Sequence, residues 1–246
     1  MMAKVDYEDE YMVSKYLHIT NNGGIWCSEL DTIKAYCSTD DYILDVGCGT
    51  GRISYGLFQN GFKNIYGIDI SKKMINQAIV NTHSDNSVQY ICADIVKECP
   101  FEGIPFHLAI FGYNGLMCIQ GINNRIDALN HIYELLHKDA IFIFTVQFQC
   151  FSPDSSHFEF WNARRSIYHK KGISEFEDSF GDLLVEDKGK MVFHHFTNEL
   201  EITKMLGNKW ILLDSFWRDE RFVESCLTLQ YSNNCKFYVL QKKGEA

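Results

Sequence analysis

The chain has 246 residues, a length that suits one domain with an elaboration. Apolar residues make up 46% and charged residues 22%, ordinary for a folded soluble protein, while aromatics reach 14%. The net charge of −9 and pI near 5.4 disfavour a phosphate backbone as partner, so no nucleic acid is expected. No apolar run is long enough to span a bilayer, and the polar start MMAKVDYEDEYM lacks the layout of a signal peptide. Nine cysteines, none in a C-x-x-C pair, argue against zinc and for reduced thiols in a cytoplasmic setting.

Residues 5–38 carry apolar positions at loosely helical spacing, broken by Asn21-Asn22-Gly23-Gly24. The run YILDVG at 42–47 reads as a strand buried on both faces. Helical spacing resumes after Gly51 and stops near Gly61. A second strand covers 64–69, and Ser71 caps a helix whose buried face holds Met74, Ile75, Ala78 and Ile79. Further strands are predicted at 88–94, 106–112 and 140–147, with a helix stripe at Ile126, Leu129, Ile132 and Leu136. Alternating strands and helices imply a parallel sheet covered on both faces. Strands at 210–218 and 236–242, with only a short connection between them, suggest an antiparallel pair at the sheet edge.

The stretch 148–197 interrupts the alternation. It is rich in aromatics and histidines, and Lys188-Gly189 suggests a hairpin within it. The expected division is an N-terminal helical segment at 1–40, a cofactor-binding core at 41–147, an insertion at 148–197 and a terminal helix and strand pair at 198–246. The basic group Arg164-Arg165 with Lys170-Lys171 reads as a solvated face or a receptor for an acidic substrate.

The strongest chemical signal is DVGCGTGR at 45–52. Gly47, Gly49 and Gly51 allow positive φ and close backbone approach to a ligand, and the turn feeds a helix N-terminus. A dinucleotide fingerprint would need a third glycine at 52, where Arg52 stands, so an NAD-binding protein is the weaker alternative. Asp69, at the end of the second strand and twenty residues beyond Gly49, can accept hydrogen bonds from both hydroxyls of a ribose. Asp94, after the third strand, can accept from an exocyclic amine.

These features together resemble the class I S-adenosylmethionine-dependent methyltransferases. The residues that carry the likeness are DVGCGTG at 45–51, Asp69 in IYGIDIS, Asp94 in CADI and the block 106–145. The resemblance implies a Rossmann-like α/β fold. Its seven-stranded sheet would be mostly parallel with one antiparallel edge strand, with helices on both faces and a lid-like insertion after the fifth strand. It also implies S-adenosyl-L-methionine as cofactor and S-adenosyl-L-homocysteine as product. Asp45, Gly47, Cys48, Gly49 and Gly51 would surround the methionine part. Asp69 would hold the ribose, with Ile70 and Met74 near the adenine, Asp94 facing its amine and Ile95 packing on the ring. Gly112 and Tyr113 would lie beside the methyl group, and Tyr16 and Trp26 would close over the cofactor. The chain departs from the family at Lys138-Asp139-Ala140, where Pro-Gly-Gly is common.

Nothing in this motif set names the methyl acceptor. A small molecule bearing a nitrogen or oxygen nucleophile fits the acidic surface, and Asn114, Phe160, Trp161 and His194 are candidates to bind it. Methyl transfer from a sulfonium is an in-line displacement that mainly requires alignment. Tyr113, His194, His195, His157 and Glu159 are the candidates by type for a base. No acidic cluster has divalent-metal spacing, so no metal is expected. A noncatalytic cofactor-binding module is the alternative from another class, and a dimer contact is the alternative use of the aromatic insertion.

Overall fold

The computed structural model describes residues 7–82, 88–101, 103–148 and 181–244. Two helices lead in: α1 (Glu10–Gly23), capped by the Asp9 side chain accepting from the Tyr11 N–H, and α2 (Cys27–Tyr36). Strands and helices then alternate as β1 (Tyr42–Val46), α3 (Arg52–Gln59), β2 (Asn64–Asp69), α4 (Lys72–Asn81), β3 (Val88–Cys92) and β4 (Phe106–Phe111). A 3-10 turn (Gly115–Cys118), α5 (Ile122–Leu135) and β5 (Leu136–Val146) follow. The remainder comprises β6 (Asp182–Asp187), β7 (Lys190–His195), α6 (Glu199–Leu206) and β8 (Trp210–Trp217). The short helices α7 (Arg218–Arg221) and α8 (Cys226–Tyr231) lead to β9 (Lys236–Lys242).

Seven strands form one sheet in the order β3-β2-β1-β4-β5-β9-β8. The first five are parallel, while β9 runs antiparallel between β5 and the edge strand β8. This is the mostly parallel Rossmann-like sheet expected from the alternation, with its antiparallel strand in the terminal pair. Alternate residues supply two cores. Leu44, Val46, Ile68, Phe142, Phe144 and Leu240 meet α5 and α6 on one face. Ile43, Ile65, Leu108, Ile141, Ile143 and Val239 meet Ile33 of α2 and Ile53 and Leu57 of α3 on the other. Continuous apolar runs such as FIFTV are what a strand covered on both sides requires. Each fully buried Ile, Leu or Phe contributes about 1.5–3 kcal/mol.

Three expectations need adjustment. Ile79 is 40% exposed, because α4 buries only Met74, Ile75 and Ala78. Leu136 belongs to β5 rather than to the helix stripe, since the chain passes from α5 into the strand without a loop. The expected turn at Lys138-Asp139-Ala140 is an irregularity inside β5, with Asp139 at φ +62° and a register shift against β4. Asp tolerates that left-handed conformation better than most residues.

The Lys188-Gly189 hairpin is present, joining β6 to β7 with both turn residues at positive φ. Phe148 pairs with Thr197, and the Thr197 N–H donates to the Gln147 carbonyl at 3.1 Å, so the chain leaves the sheet and returns to it at neighbouring positions.

Candidate functional site

The carboxyl ends of β1, β2, β3 and β4 open onto a cavity of about 810 Å³. That volume is in the range of sites for small molecules and cofactors. Position is dictated by topology: in an open parallel sheet, ligands bind beyond the strand ends where the strand order reverses, here between β1 and β4.

The floor is the turn from β1 to α3. Gly47 and Gly49 have φ of +64° and +54°, a region that glycine enters without strain. A Cβ on Gly47 would lie 2.7 Å from the Phe111 ring, whereas one on Gly49 would meet nothing within 4 Å. The turn is pinned from beneath by Asp45, whose Oδ2 accepts from the Ser54 N–H at 3.0 Å and hydroxyl at 2.6 Å. Burial pushes the Asp45 carboxyl up to about 7, against the two Ser54 hydrogen bonds.

Asp69 closes the turn from the side. Its Oδ2 accepts from the Gly49 N–H and its Oδ1 from the Ser71 N–H, both at 2.8 Å. Burial raises its carboxyl to about 6, while the two backbone hydrogen bonds pull the other way. Each oxygen keeps a further lone pair for a ligand hydroxyl. At the end of β3, Asp94 accepts from the Val96 N–H at 3.0 Å and pairs with Lys97 at 2.8 Å. Ile95 and Met74 supply apolar wall.

After β4 the segment Gly112-Tyr113-Asn114-Gly115 runs through two consecutive non-glycine residues at positive φ, +52° and +58°. Such strain costs on the order of 1–3 kcal/mol per residue and persists only where the surroundings enforce it. The Asn114 N–H donates to Thr145 Oγ1 at 2.9 Å, and the Tyr113 hydroxyl donates to the Tyr231 carbonyl at 2.5 Å.

The cavity is thus lined by Tyr16, Asp45, Gly47, Cys48, Gly49, Asp69, Ile70, Met74, Asp94, Ile95, Gly112 and Tyr113 among the residues singled out from sequence. Gly51 does not line it. A Cβ there would meet the Tyr90 hydroxyl at 2.8 Å and Ala78 at 3.1 Å, so that glycine serves packing of α3 on α4. Trp26 does not line it either: it is 1% exposed, with the Arg52 guanidinium 4.4 Å and the Arg218 guanidinium 5.1 Å from its ring centre. Its ring supports Tyr113 from behind, at 5.5 Å between centroids.

The histidines separate. His195 is removed from the cavity: its Nδ1 meets Asp182 at 2.6 Å and its Nε2 meets Glu201 at 2.7 Å, all deeply placed, and Arg125 joins Glu201 at 3.0 Å. Burial lowers the His195 pKa, but the two carboxylate hydrogen bonds more than reverse this, so it is raised. A histidine with both nitrogens committed to carboxylates serves as a rivet between β7, β6 and α6, which is the correction to its candidacy as a base. His194 lies nearer. Its Nε2 bonds Gln147 Oε1 at 3.1 Å, and its Nδ1 faces the cavity-lining Cys118 thiol at 3.9 Å. Burial, helped by the charge of His195, pushes His194 down to about 4. His157, Glu159, Phe160, Trp161 and the basic group at 164–171 fall outside the described residues.

Several lining residues escaped sequence reasoning. Tyr7, in the N-terminal stretch, receives the Ser71 hydroxyl at its carbonyl (3.0 Å), and the next residue, Glu8, accepts from the Lys72 N–H at 2.5 Å. The segment crosses the cavity as a strap. Asp9 extends it to the hairpin by pairing with Lys190 at 2.6 Å. Arg52 lines the cavity while its two NH groups meet Glu29 at 2.6 Å each. Its place just after the glycine turn was the available signal.

With this geometry in hand, a family profile described as a methyltransferase domain matches residues 43–139. Over residues 43–139 the chain is similar to methyltransferase domains. The matched stretch runs from β1 into β5 and includes the glycine turn, Asp69, Asp94 and the Gly112–Gly115 segment. The chain is 29% identical over 114 residues to the putative methyltransferase YqeM of Bacillus subtilis, covering 46% of this chain and 45% of that protein. It is 30% identical over 138 residues to an uncharacterized protein of Methanocaldococcus jannaschii, covering 56% and 46%. In both cases the match spans under half of the relative's own length. Among solved structures, a SAM-dependent methyltransferase of Methanosarcina mazei superposes with TM-score 0.68 at 21% identity, covering 87% of this chain and 98% of that one. The magnesium protoporphyrin IX methyltransferase of Synechocystis, solved with bound SAH, superposes with TM-score 0.62 at 15% identity, covering 97% and 98%. At these identities the structural likeness shows the fold. Among the described residues no helix is long and apolar enough to cross a membrane, and no cluster of His, Cys, Asp and Glu could hold a metal ion.

Proposed function

We propose that this cavity binds S-adenosylmethionine and that the chain transfers its methyl group to a small-molecule acceptor. The observation that carries the reading is the Asp69 carboxylate, held at the cavity wall by the Gly49 and Ser71 N–H groups with lone pairs left for a ribose. When bound, the cofactor supplies a methyl group already activated on a sulfonium. The protein's part is then to hold and orient, an effect that can contribute on the order of 7–11 kcal/mol. The Gly47–Gly49 backbone gives room for the methionine end, with Cys48 beside it, and a Cβ at Gly49 would occupy that room. Ile70, Met74 and Ile95 flank the adenine, and Asp94 offers it an oxygen by sharing its bond to the exposed Lys97. Tyr7, Tyr16 and Tyr113 cover the methyl end and exclude water.

In this reading residues 41–147 are the cofactor-binding core. The insertion at 148–197 caps the acceptor, a role supported by Phe193 of β7, which lines the cavity. His194 and Asn114 stand behind the same end. Titration calorimetry tests the reading directly. S-adenosylmethionine is expected to bind to the wild type and NADH is not, and S-adenosylhomocysteine should form with a suitable acceptor. Tight binding of NADH instead would overturn the assignment.

A further inference from the structure

We infer that residues 7–9 form the gate by which the cofactor enters and its product leaves, and that the Asp9–Lys190 ion pair latches this gate to the β6–β7 hairpin, which thereby sets the rate of cofactor exchange. The inference rests on the cofactor reading above and concerns the regulation of that same site.

The strap is tied on the β2 side and on the β4 side of the sheet. On the first, the Ser71 hydroxyl donates to the Tyr7 carbonyl at 3.0 Å and the Lys72 N–H to Glu8 Oε1 at 2.5 Å. These residues adjoin Asp69, whose own Oδ1 takes the Ser71 N–H. On the second, Asp9 Oδ2 meets Lys190 Nζ at 2.6 Å, and Lys190 opens β7, the strand whose His194 faces Cys118 in the turn after β4. In the order β2-β1-β4, what lies between the two ties is the end of β1 with its glycine turn. Tyr7 lines the cavity, with its ring 6.5 Å from that of Tyr16, which stands 6.2 Å from that of Tyr113. A cofactor held at Asp69 therefore lies under a span tied on both banks, and it leaves when a tie gives.

The strap and the helix that follows it are held unequally. Along α1 the contacts are anchors: Met12 and Ile19 are buried, Thr20 Oγ1 bonds Thr50 Oγ1 at 2.7 Å, and His18 Nε2 meets the Tyr231 hydroxyl at 2.9 Å. Where the strap enters α1, charge does the holding. The Asp9–Lys190 pair is joined by Lys188, whose Nζ lies 4.9 Å from the centre of the Tyr11 ring, and by Glu10 with Lys73 at 3.9 Å. The Lys190 side chain is 41% exposed and that of Glu10 93%, so these pairs sit against water, where each contributes little and salt screens it. Elements that open for a ligand are drawn from the weakly held parts of a fold. The strap can thus lift while α1 keeps its place, which is what a gate requires. Lys188 and Lys190 both belong to the hairpin, so the hairpin governs how often the strap lifts.

Surface plasmon resonance, with the full chain immobilised through its C-terminus and S-adenosylhomocysteine in solution, reads kon and koff separately. A latch acts on the gate whether or not the cofactor is bound, so losing it should raise both rates and leave their ratio in place. Asp9→Asn retains a cap for α1, and Lys190→Gln removes the charge while keeping a long side chain. Each is expected to raise kon and koff by about two- to fivefold, with Kd within about twofold of wild type. Lys190→Glu, which sets like charges face to face, should raise them further, and Lys190→Arg should keep wild-type rates. The double variant Asp9→Asn with Lys190→Gln should be no faster than either single one. Raising sodium chloride from about 0.05 M to about 0.5 M should speed exchange in the wild type and much less in Asp9→Asn. Lys63→Gln breaks an exposed pair with Asp40, neither residue lining the cavity, and should change neither rate. Rates unmoved by Asp9→Asn and Lys190→Gln, effects that add in the double variant, or wild-type exchange indifferent to salt would each overturn the latch. A rise in koff alone, with affinity lost in step, would make the pair a contact of the bound state and overturn the gate. Failure to bind S-adenosylhomocysteine at all would instead overturn the cofactor reading beneath it.

Discussion

Carboxylates at the end of β2 and in the first turn of α6 are buried in opposite ways. Asp69 is satisfied by backbone N–H groups, which bring partial charges only, and its carboxyl is raised to about 6 by burial. Glu201 is also partly buried, yet its pKa is lowered, because His195 and Arg125 outweigh the burial. The first arrangement leaves capacity for a ligand. The second consumes it in a closed network of Asp182, His195, Glu201 and Arg125. Partner type, more than residue type, separates a binding carboxylate from a structural one.

That contrast can be broken at either end. The largest effect is expected at the network. His195→Ala leaves Asp182 buried without its partner, and such losses typically cost 3–5 kcal/mol, roughly. Urea unfolding should show that drop while S-adenosylmethionine affinity stays near wild type, and a strong loss of affinity without a loss of stability would reverse the two roles. Next, Asp69→Ala removes charged hydrogen bonds worth about 1.5–3 kcal/mol each, so calorimetry should show affinity down by about tenfold or more with stability little changed. The network also sets a pH dependence. The pKa of His195 is raised in the fold, so its contribution is complete below the unfolded value near 6.5 and fades as pH rises through the folded value. Melting temperature should therefore decline with rising pH above that point, and His195→Gln should flatten the decline. The smallest change in stability is expected for Gly49→Ala, where the Cβ meets open space and only the positive φ costs about 1 kcal/mol. The same methyl group enters the cavity, so affinity should fall out of proportion to stability.

The parallel sheet was legible because β1, β4 and β5 are apolar on both faces, and the glycine turn because few residues accept its φ values. The hairpin was legible from Lys188-Gly189 alone. Long-range pairings were not. Nothing local tells that Arg52 meets Glu29 across 23 residues, or that the Tyr7 carbonyl meets Ser71 across 64. Trp26 was misread for the same reason: an aromatic near the cofactor end looks like a lid until the two guanidinium groups stacked on it are seen. His194 and His195 are neighbours with opposite surroundings because successive strand residues face opposite sides, a period that fixes the difference without naming either partner.

The contact between Thr197 and Gln147 has a consequence for how such a protein diversifies. A segment that departs and rejoins at adjacent points can grow, shrink or be exchanged with little change in closure entropy and no shift of strand register. Selection can then rewrite that segment by recombination while β1 to β5 stay untouched. Grafting a foreign segment between Phe148 and Thr197 should accordingly be tolerated far better than an insertion of equal length between β1 and α3.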